Sequence, residues 1–272
     1  MMKRIYNYNA QPAQRNVTVG DLIANKGKQK YTMTMPYTAE EAADVQAAGI
    51  DIISAWDRDT AIIRNAAPTT MIIAGQSWPD YVSHDEILRA AMKALEEGAD
   101  AIFTSRGLDV VEMLARQDIA VQNHLGLIPR KSTLLGGLRP VGKTADEALS
   151  LFQKFKDLEN AGAFAAECEL IPQQAMAEIS KRTKLVTIGL GSGTGCDVTL
   201  QFLEDLTGDN PNPPRHARAY ANLYALRQQM AEERRRALNE WREDSIEGTY
   251  PSEAETAYMP KAEYEKFLDA LE

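Results

Sequence analysis

A helix-ending glycine followed at once by a short apolar run recurs along this chain. Ala47-Ala48-Gly49-Ile50-Asp51 precedes Ile52-Ile53. Glu96-Glu97-Gly98-Ala99-Asp100 precedes Ala101-Ile102-Phe103, and Asn160-Ala161-Gly162-Ala163 precedes a third such run. Glycine ends helices because it adopts the left-handed conformation without a Cβ penalty. A short apolar run directly after it reads as a buried strand. Helix, glycine, strand, repeated, describes the return loops of a βα fold with parallel strands.

The pattern predicts strands at about 31–35, 50–54, 70–74, 101–104, 119–123, 163–167 and 185–190. Helices are expected between them at about 39–48, 84–97, 107–117, 144–161, 173–182 and 197–206. A short eighth strand is expected near 212–216. The simplest closed arrangement is a (β/α)8 TIM barrel. An open doubly wound sheet is the alternative, because sequence does not fix strand order. The 272 residues suit one such domain, 1–272, with 215–272 as a C-terminal helical extension.

Composition narrows the partners. The net charge of −9 argues against nucleic acid, which binds through clustered positive charge. The basic run Arg234-Arg235-Arg236 has acidic neighbours and reads as a solvated helix face. The two cysteines, Cys168 and Cys196, make no disulfide framework and have no ligand-spaced partner for zinc. No apolar run of about 18 residues exists for a membrane, and the N-terminus lacks a signal peptide's apolar core. A cytoplasmic protein is expected.

The stretch 163–193 concentrates the chemistry. Two carboxylates, Glu167 and Glu169, lie at the end of one strand, and Gly189, Gly191 and Gly193 lie at the end of the next. In parallel α/β folds, reactive side chains and anion-binding amides collect at such ends. Position alone leaves either carboxylate open as a reactive group. Gly191 and Ser192 are candidates for a substrate cradle, with tight strand-to-helix packing as the alternative. His124 closes another strand and opens the long Gly- and Pro-rich loop 124–143, which places it at the same face. Trp56 and Trp78 are candidates for shaping a pocket beside it.

Several motifs in this region resemble one family. His124-Leu125-Gly126-Leu127-Ile128-Pro129, followed by Gly136-Gly137, resembles a segment of ketopantoate hydroxymethyltransferase, an enzyme family of pantothenate synthesis. Glu167-Cys168-Glu169-Leu170-Ile171-Pro172, Ile188-Gly189-Leu190-Gly191-Ser192-Gly193 and Gly248-Thr249-Tyr250-Pro251 are similar to its other motifs, in the same order. The resemblance runs from about Thr18 to Tyr250. It implies a barrel of the phosphoenolpyruvate/pyruvate type, assembled as a homo-oligomer and acting on a small-molecule keto acid. The family removes a proton beside the keto group, and the enolate attacks a methylene carried by tetrahydrofolate. Magnesium chelates the keto acid.

On this resemblance Glu169 takes the place of the family's catalytic glutamate and is the candidate base, Glu167 reads as structural, and Asp57 takes the place of the first metal ligand; His124, from its place at a strand end, is a candidate site donor. Other positions depart from the family. Arg58 stands where the family has a substrate-holding serine, and Gly75 where it has its second metal aspartate. Phe103-Thr104-Ser105-Arg106-Gly107 lacks the family's lysine and glutamate, and the loop after Asp57 is short. The losses fall on the metal and on the keto acid's carboxylate. Magnesium is commonly bound through one or two carboxylates plus substrate oxygens. The metal is therefore expected to be absent or held differently, with Asp59, Asp80 and His84 as added ligands better suited to a transition metal. Arg58 or Arg106 would clamp the carboxylate through a bidentate fork. The expected activity is a hydroxymethyltransferase-like, aldol-type one-carbon transfer through an enolate. The alternatives are a diverged lyase or hydrolase of the same superfamily with an altered or absent metal site, and a non-catalytic binding subunit.

Overall fold

The computed structural model describes residues 2–272. They form two compact units. One comprises residues up to Leu206 together with Asn212–Ala219, and the other Thr207–Pro211 together with Tyr220–Glu272. The first unit opens with an antiparallel hairpin, β1 (Lys3–Tyr6) and β2 (Pro12–Arg15), and helix α1 (Val19–Ala24). Eight parallel strands follow: β3 (Tyr31–Thr34), β4 (Ile52–Trp56), β5 (Met71–Gly75), β6 (Ala101–Phe103), β7 (Val121–Gly126), β8 (Ala165–Glu169), β9 (Val186–Leu190) and β10 (Val198–Leu200). They pair in chain order, and β10 closes on β3. The helices between and after them are α2 (Ala39–Ala47), α3 (Thr60–Ala66), α4 (His84–Glu96), α5 (Leu108–Ala115), α6 (Ser132–Leu135), α7 (Ala145–Asn160), α8 (Gln173–Arg182) and α9 (Leu203–Leu206). The second unit holds α10 (Leu223–Glu247) and α11 (Lys261–Asp269). No helix among the described residues is long and apolar enough to cross a membrane.

Closure excludes the open sheet. It also relocates the eighth strand, which is β10 and not the segment near 212–216. Val198-Thr199-Leu200 sits where a helix over 197–206 was expected, and only α9 remains of that helix. Three residues carry no period. Their state is set by pairing with β9 on one side and β3 on the other. Helices α1 and α3 and the first hairpin are also absent from the sequence pattern, being too short to show a periodic face.

Strand alternation separates two apolar layers. Met33, Ile52, Met71, Ile73, Ala101, Ala165, Val186, Ile188 and Leu200 fill the barrel interior. Val121, Ala166 and Cys168 point outward and pack with Leu114 of α5 and Leu151, Phe155 and Leu158 of α7. On β8, Ala165 faces inward, so Glu167 and Glu169 face inward as well.

The aspartates of the recurring loops have a shared task. Asp51 Oδ2 accepts the Thr32 N–H at 2.8 Å, and Asp100 Oδ2 the Ile72 N–H at 2.9 Å. Each ties the start of one strand to the preceding one. Asp197, just before β10, does the same for the Thr187 N–H at 2.9 Å. It also accepts from Lys26 Nζ at 2.8 Å, the Gly27 N–H at 2.9 Å and Thr187 Oγ1 at 2.8 Å. Burial opposes ionisation of Asp197, but Lys26 and Thr187 outweigh it and hold its pKa below the usual carboxylate value. A depressed pKa contributes stability above the unfolded-state value, about 3.9, and that contribution is lost as pH falls through the folded value. Asp197→Asn is expected to cost about 2 kcal/mol at neutral pH, the scale of a hydrogen bond to a charged group. Denaturant melts should show the gap between variant and parent closing below about pH 4. An equal gap at pH 3 and pH 7 would contradict this.

Candidate active site

The carboxyl ends of β7 and β8 build the centre of the site. Register pairs His124 with Glu167 and Gly126 with Glu169. His124 Nε2 lies 3.0 Å from Glu169 Oε2 and 3.7 Å from Glu167 Oε1. The three side chains are buried, at 7%, 9% and 9% exposure. Gln122, two residues before His124 and so on the same face, donates to Glu167 Oε2 at 3.3 Å. Phe103 tilts against the imidazole with ring centroids 5.9 Å apart.

The motif around His124 has a local physical explanation. Gly126 has φ +90°, and a Cβ there would collide with the Glu169 carbonyl oxygen. Only glycine lets the end of β7 pass so close to β8. Leu127 N–H then donates to that carbonyl at 2.8 Å. Leu170, directly after Glu169, has φ +48°, a costly conformation for a leucine. The backbone of Glu169 is thus held from both sides.

Proton affinities within the cluster are displaced. Burial alone would lower the His124 pKa, but contact with Glu169 and the charges of Glu167 and Glu169 outweigh it, and the net direction is upward. Burial raises the Glu167 pKa, partly opposed by His124. Arg130 disfavours the imidazolium only weakly from the loop above.

Asp57 lies elsewhere on the rim, just after β4. It is 5% exposed, and its Oδ1 accepts the Arg58 N–H at 2.9 Å. Burial raises its pKa, and the Tyr81 hydroxyl beside it works in the other direction. Tyr81 is itself pushed up to about 12, by burial and then by Asp57. Gly75 and Phe103, at the ends of the next two strands, offer no side-chain oxygen. Asp59 and Asp80 face Arg58 at 3.9 and 3.7 Å, and His84 pairs with Asp109 at 3.0 Å; of these expected ligands, Asp80 is the one whose charge acts on Asp57. Asp57 Oδ2 is buried without an aligned hydrogen-bond partner, but the Arg58 and Arg106 charges bear on this carboxylate and the Tyr81 hydroxyl stands beside it, a setting that does not fit magnesium. Among the described residues, the group with the spacing to hold a metal ion is His124, Glu167 and Glu169.

The arginines differ. Arg58 is exposed and lies over Trp56, 5.6 Å from the ring centroid. Arg106 Nη2 donates to the carbonyls of Ser77, Trp78 and Tyr81 at 3.3, 3.1 and 2.8 Å, which braces the loop after β5. Its Nη1 is buried without a hydrogen-bond partner. Ser105, Arg106, Asn123, His124, Lys131 and Lys154 line a cavity of about 200 Å³. Trp78 is exposed and covered by the Arg130 guanidinium at 4.6 Å.

Gly191 and Ser192 are explained by packing. Ser192, 1% exposed, donates to the Cys168 carbonyl at 2.7 Å and accepts the Ile171 N–H at 2.9 Å. Its hydroxyl therefore joins β9 to the end of β8 and is not presented to a cradle. A Cβ at Gly191 would meet Leu170 at 2.7 Å and His216 at 2.9 Å. Gln122 and Tyr81 are site residues that no motif marks. The two-residue strand period from His124 points to Gln122, whereas Tyr81 sits in a loop with no pattern.

A model of the family described as ketopantoate hydroxymethyltransferase matches residues 55–253. The chain belongs to the ketopantoate hydroxymethyltransferase family. A relative from Hyperthermus butylicus named 3-methyl-2-oxobutanoate hydroxymethyltransferase is 32% identical, over 93% of this chain and 94% of its own length. One of the same name from Thermotoga neapolitana is 33% identical, over 87% and 95%. Among solved structures, a phosphonopyruvate hydrolase in complex with oxalate and Mg2+ matches with a TM-score of 0.52 at 10% identity, covering 94% of this chain and 98% of its own. A 2,3-dimethylmalate lyase of the PEP mutase/isocitrate lyase superfamily matches with a TM-score of 0.51 at 14% identity, covering 94% and 95%. At such identities the two structures bear on the fold alone. Family membership explains why the motifs around His124, Glu169 and Gly191 occur together in order. The tetrahydrofolate donor implied by the resemblance finds no support in these comparisons or in the site.

Proposed function

We propose that this protein carries out an aldol-type one-carbon transfer to an α-keto acid, with Glu169 as the base. The observation that carries the reading is the buried His124–Glu169 contact of 3.0 Å at the carboxyl ends of β7 and β8, where (β/α)8 enzymes place their chemistry. The relatives' shared name supplies the substrate class, a branched keto acid. In this reading the Glu169 carboxylate takes the proton from the carbon beside the keto group. The C–H electron pair moves into the new C=C bond, and the carbonyl π pair goes to oxygen, giving an enolate. The enolate C=C pair then forms the C–C bond to a one-carbon electrophile at the formaldehyde oxidation level; the ketone carbonyl is restored, and the electrophile's C=O or C=N π pair moves to its heteroatom, which takes a proton. His124, with its raised pKa, offers positive charge to Glu169 and to the developing enolate oxygen. Arg106, which lines the cavity beside His124, is the contact for the substrate carboxylate, and Arg58 is a more exposed second one. No step is assigned to magnesium, because the surroundings of Asp57 do not fit it.

Enolisation is measurable without the one-carbon donor. Incubated in D2O with this protein, 3-methyl-2-oxobutanoate is expected to lose its single C3 proton signal by NMR, far faster than in buffer. Exchange no faster than in buffer, across this and other small keto acids, would refute the reading.

A further inference from the structure

We propose that His124, Glu167 and Glu169 form a binding site for a divalent transition-metal ion such as Zn2+, Co2+ or Mn2+. One ligand atom from each lies within 4.8 Å of the others. Two ligands bonded to such an ion at about 2.1 Å, at angles of 90–120°, stand about 3.0–3.6 Å apart. The distances from His124 Nε2 to the two carboxylates are 3.0 and 3.7 Å.

Acidic clusters are common without metals, but the imidazole sets this one apart. His124 Nε2 is buried and makes no aligned hydrogen bond, even though it points among carboxylate oxygens. A nitrogen so placed is a ligand in waiting, since buried polar atoms normally have a partner. Gln122 adds a supporting contact: its amide nitrogen holds Glu167 Oε2, and its Oε1 has no partner. Such outer contacts orient metal ligands. Charge agrees as well. Two buried carboxylates share one imidazole, and a dication between them offsets their mutual repulsion. A nitrogen ligand and a small ligand number favour a transition metal over magnesium, which demands an octahedron of oxygens and keeps its water. Three protein ligands leave coordination positions open.

The site goes beyond the proposed reaction and does not depend on it. An ion there occupies the Glu169 lone pair that proton removal requires, so metal and base compete for one centre.

The test uses full-length protein stripped with a chelator. Co2+ is titrated by visible absorption and Zn2+ by calorimetry, each in wild type, Glu167→Gln and His124→Gln, with circular dichroism to check folding. One equivalent per chain is expected, at least about 100-fold weaker in both variants and undiminished by millimolar Mg2+. No binding, equal binding in folded variants, or displacement by Mg2+ overturns the site. The C3 exchange reaction, run on stripped and loaded protein, separates this inference from the proposed function. Exchange that Co2+ abolishes supports both. Exchange only in the loaded form keeps the site and overturns Glu169 as free base. Binding without exchange in either form keeps the site and overturns the reaction.

Discussion

Glu169→Gln is expected to lower the rate of C3 exchange by about 10²–10⁴-fold, the usual contribution of a positioned general base. The amide keeps the size and planar shape of the carboxylate but has no basic lone pair at ordinary pH. It can still meet His124, and the Glu169 backbone is fixed independently by Leu127 and by the close passage at Gly126. The melting temperature is therefore expected to stay within a few degrees of wild type. Exchange retained to within a few-fold in a folded variant would remove Glu169 as the base. The comparison variant is Glu167→Gln, on the same strand face two residues earlier. Its burial raises its pKa, so it is a poorer carboxylate donor of charge than its position implies. In the metal-free protein its removal should reduce exchange far less than removal of Glu169.

Asp100→Ala is expected to destabilise the barrel by about 3–5 kcal/mol, as when one member of a buried ion network is removed. Asp100 receives Arg15 Nε at 2.7 Å and Arg64 Nη2 at 2.9 Å, as well as the Ile72 N–H. Arg15 is 3% exposed, and burial pushes the Arg64 pKa down to about 10 even with Asp100 beside it. The alanine leaves two guanidinium charges facing each other and one strand N–H without its acceptor. Arg15 keeps carbonyl contacts with Gln14 and Pro68, and Arg64 with Gly98, Ala67 and Thr70, so the loss is not total. Urea denaturation should show the midpoint fall with little change in slope. A loss below about 1 kcal/mol would mean that these backbone contacts alone satisfy the arginines.

The two predictions bear on opposite ends of the barrel, which are unequally legible in the sequence. Helices α2, α4, α5, α7 and α8 can be read to within two residues or so, because each carries an apolar face several turns long and a clear stop. Short elements cannot. β10 has three residues, and its pairing partners come from β9 and from β3 far earlier in the chain. Asp100 stands out as part of a recurring loop, but not as the acceptor for Arg15, which arrives from a hairpin that the pattern does not reveal.

The site divides along the same line. Local chain geometry has to be written into local sequence, and so His124, Gly126 and Glu169 stand out by their motifs alone. The glycine there answers a steric demand from one neighbouring strand, and the loss of oxygen ligands at Gly75 and Phe103 is equally a property of single positions. What required the folded barrel was convergence. Strand register sets Glu167 beside His124, and burial then turns a carboxylate that reads as structural into part of a charged cluster. Folding also commits Ser192 to backbone, ties Arg106 to the loop after β5, and places Tyr81 against Asp57. Motif and period belong to neighbours along the chain, whereas charge, desolvation and ligand spacing arise between residues that only closure of the sheet brings within a few ångströms.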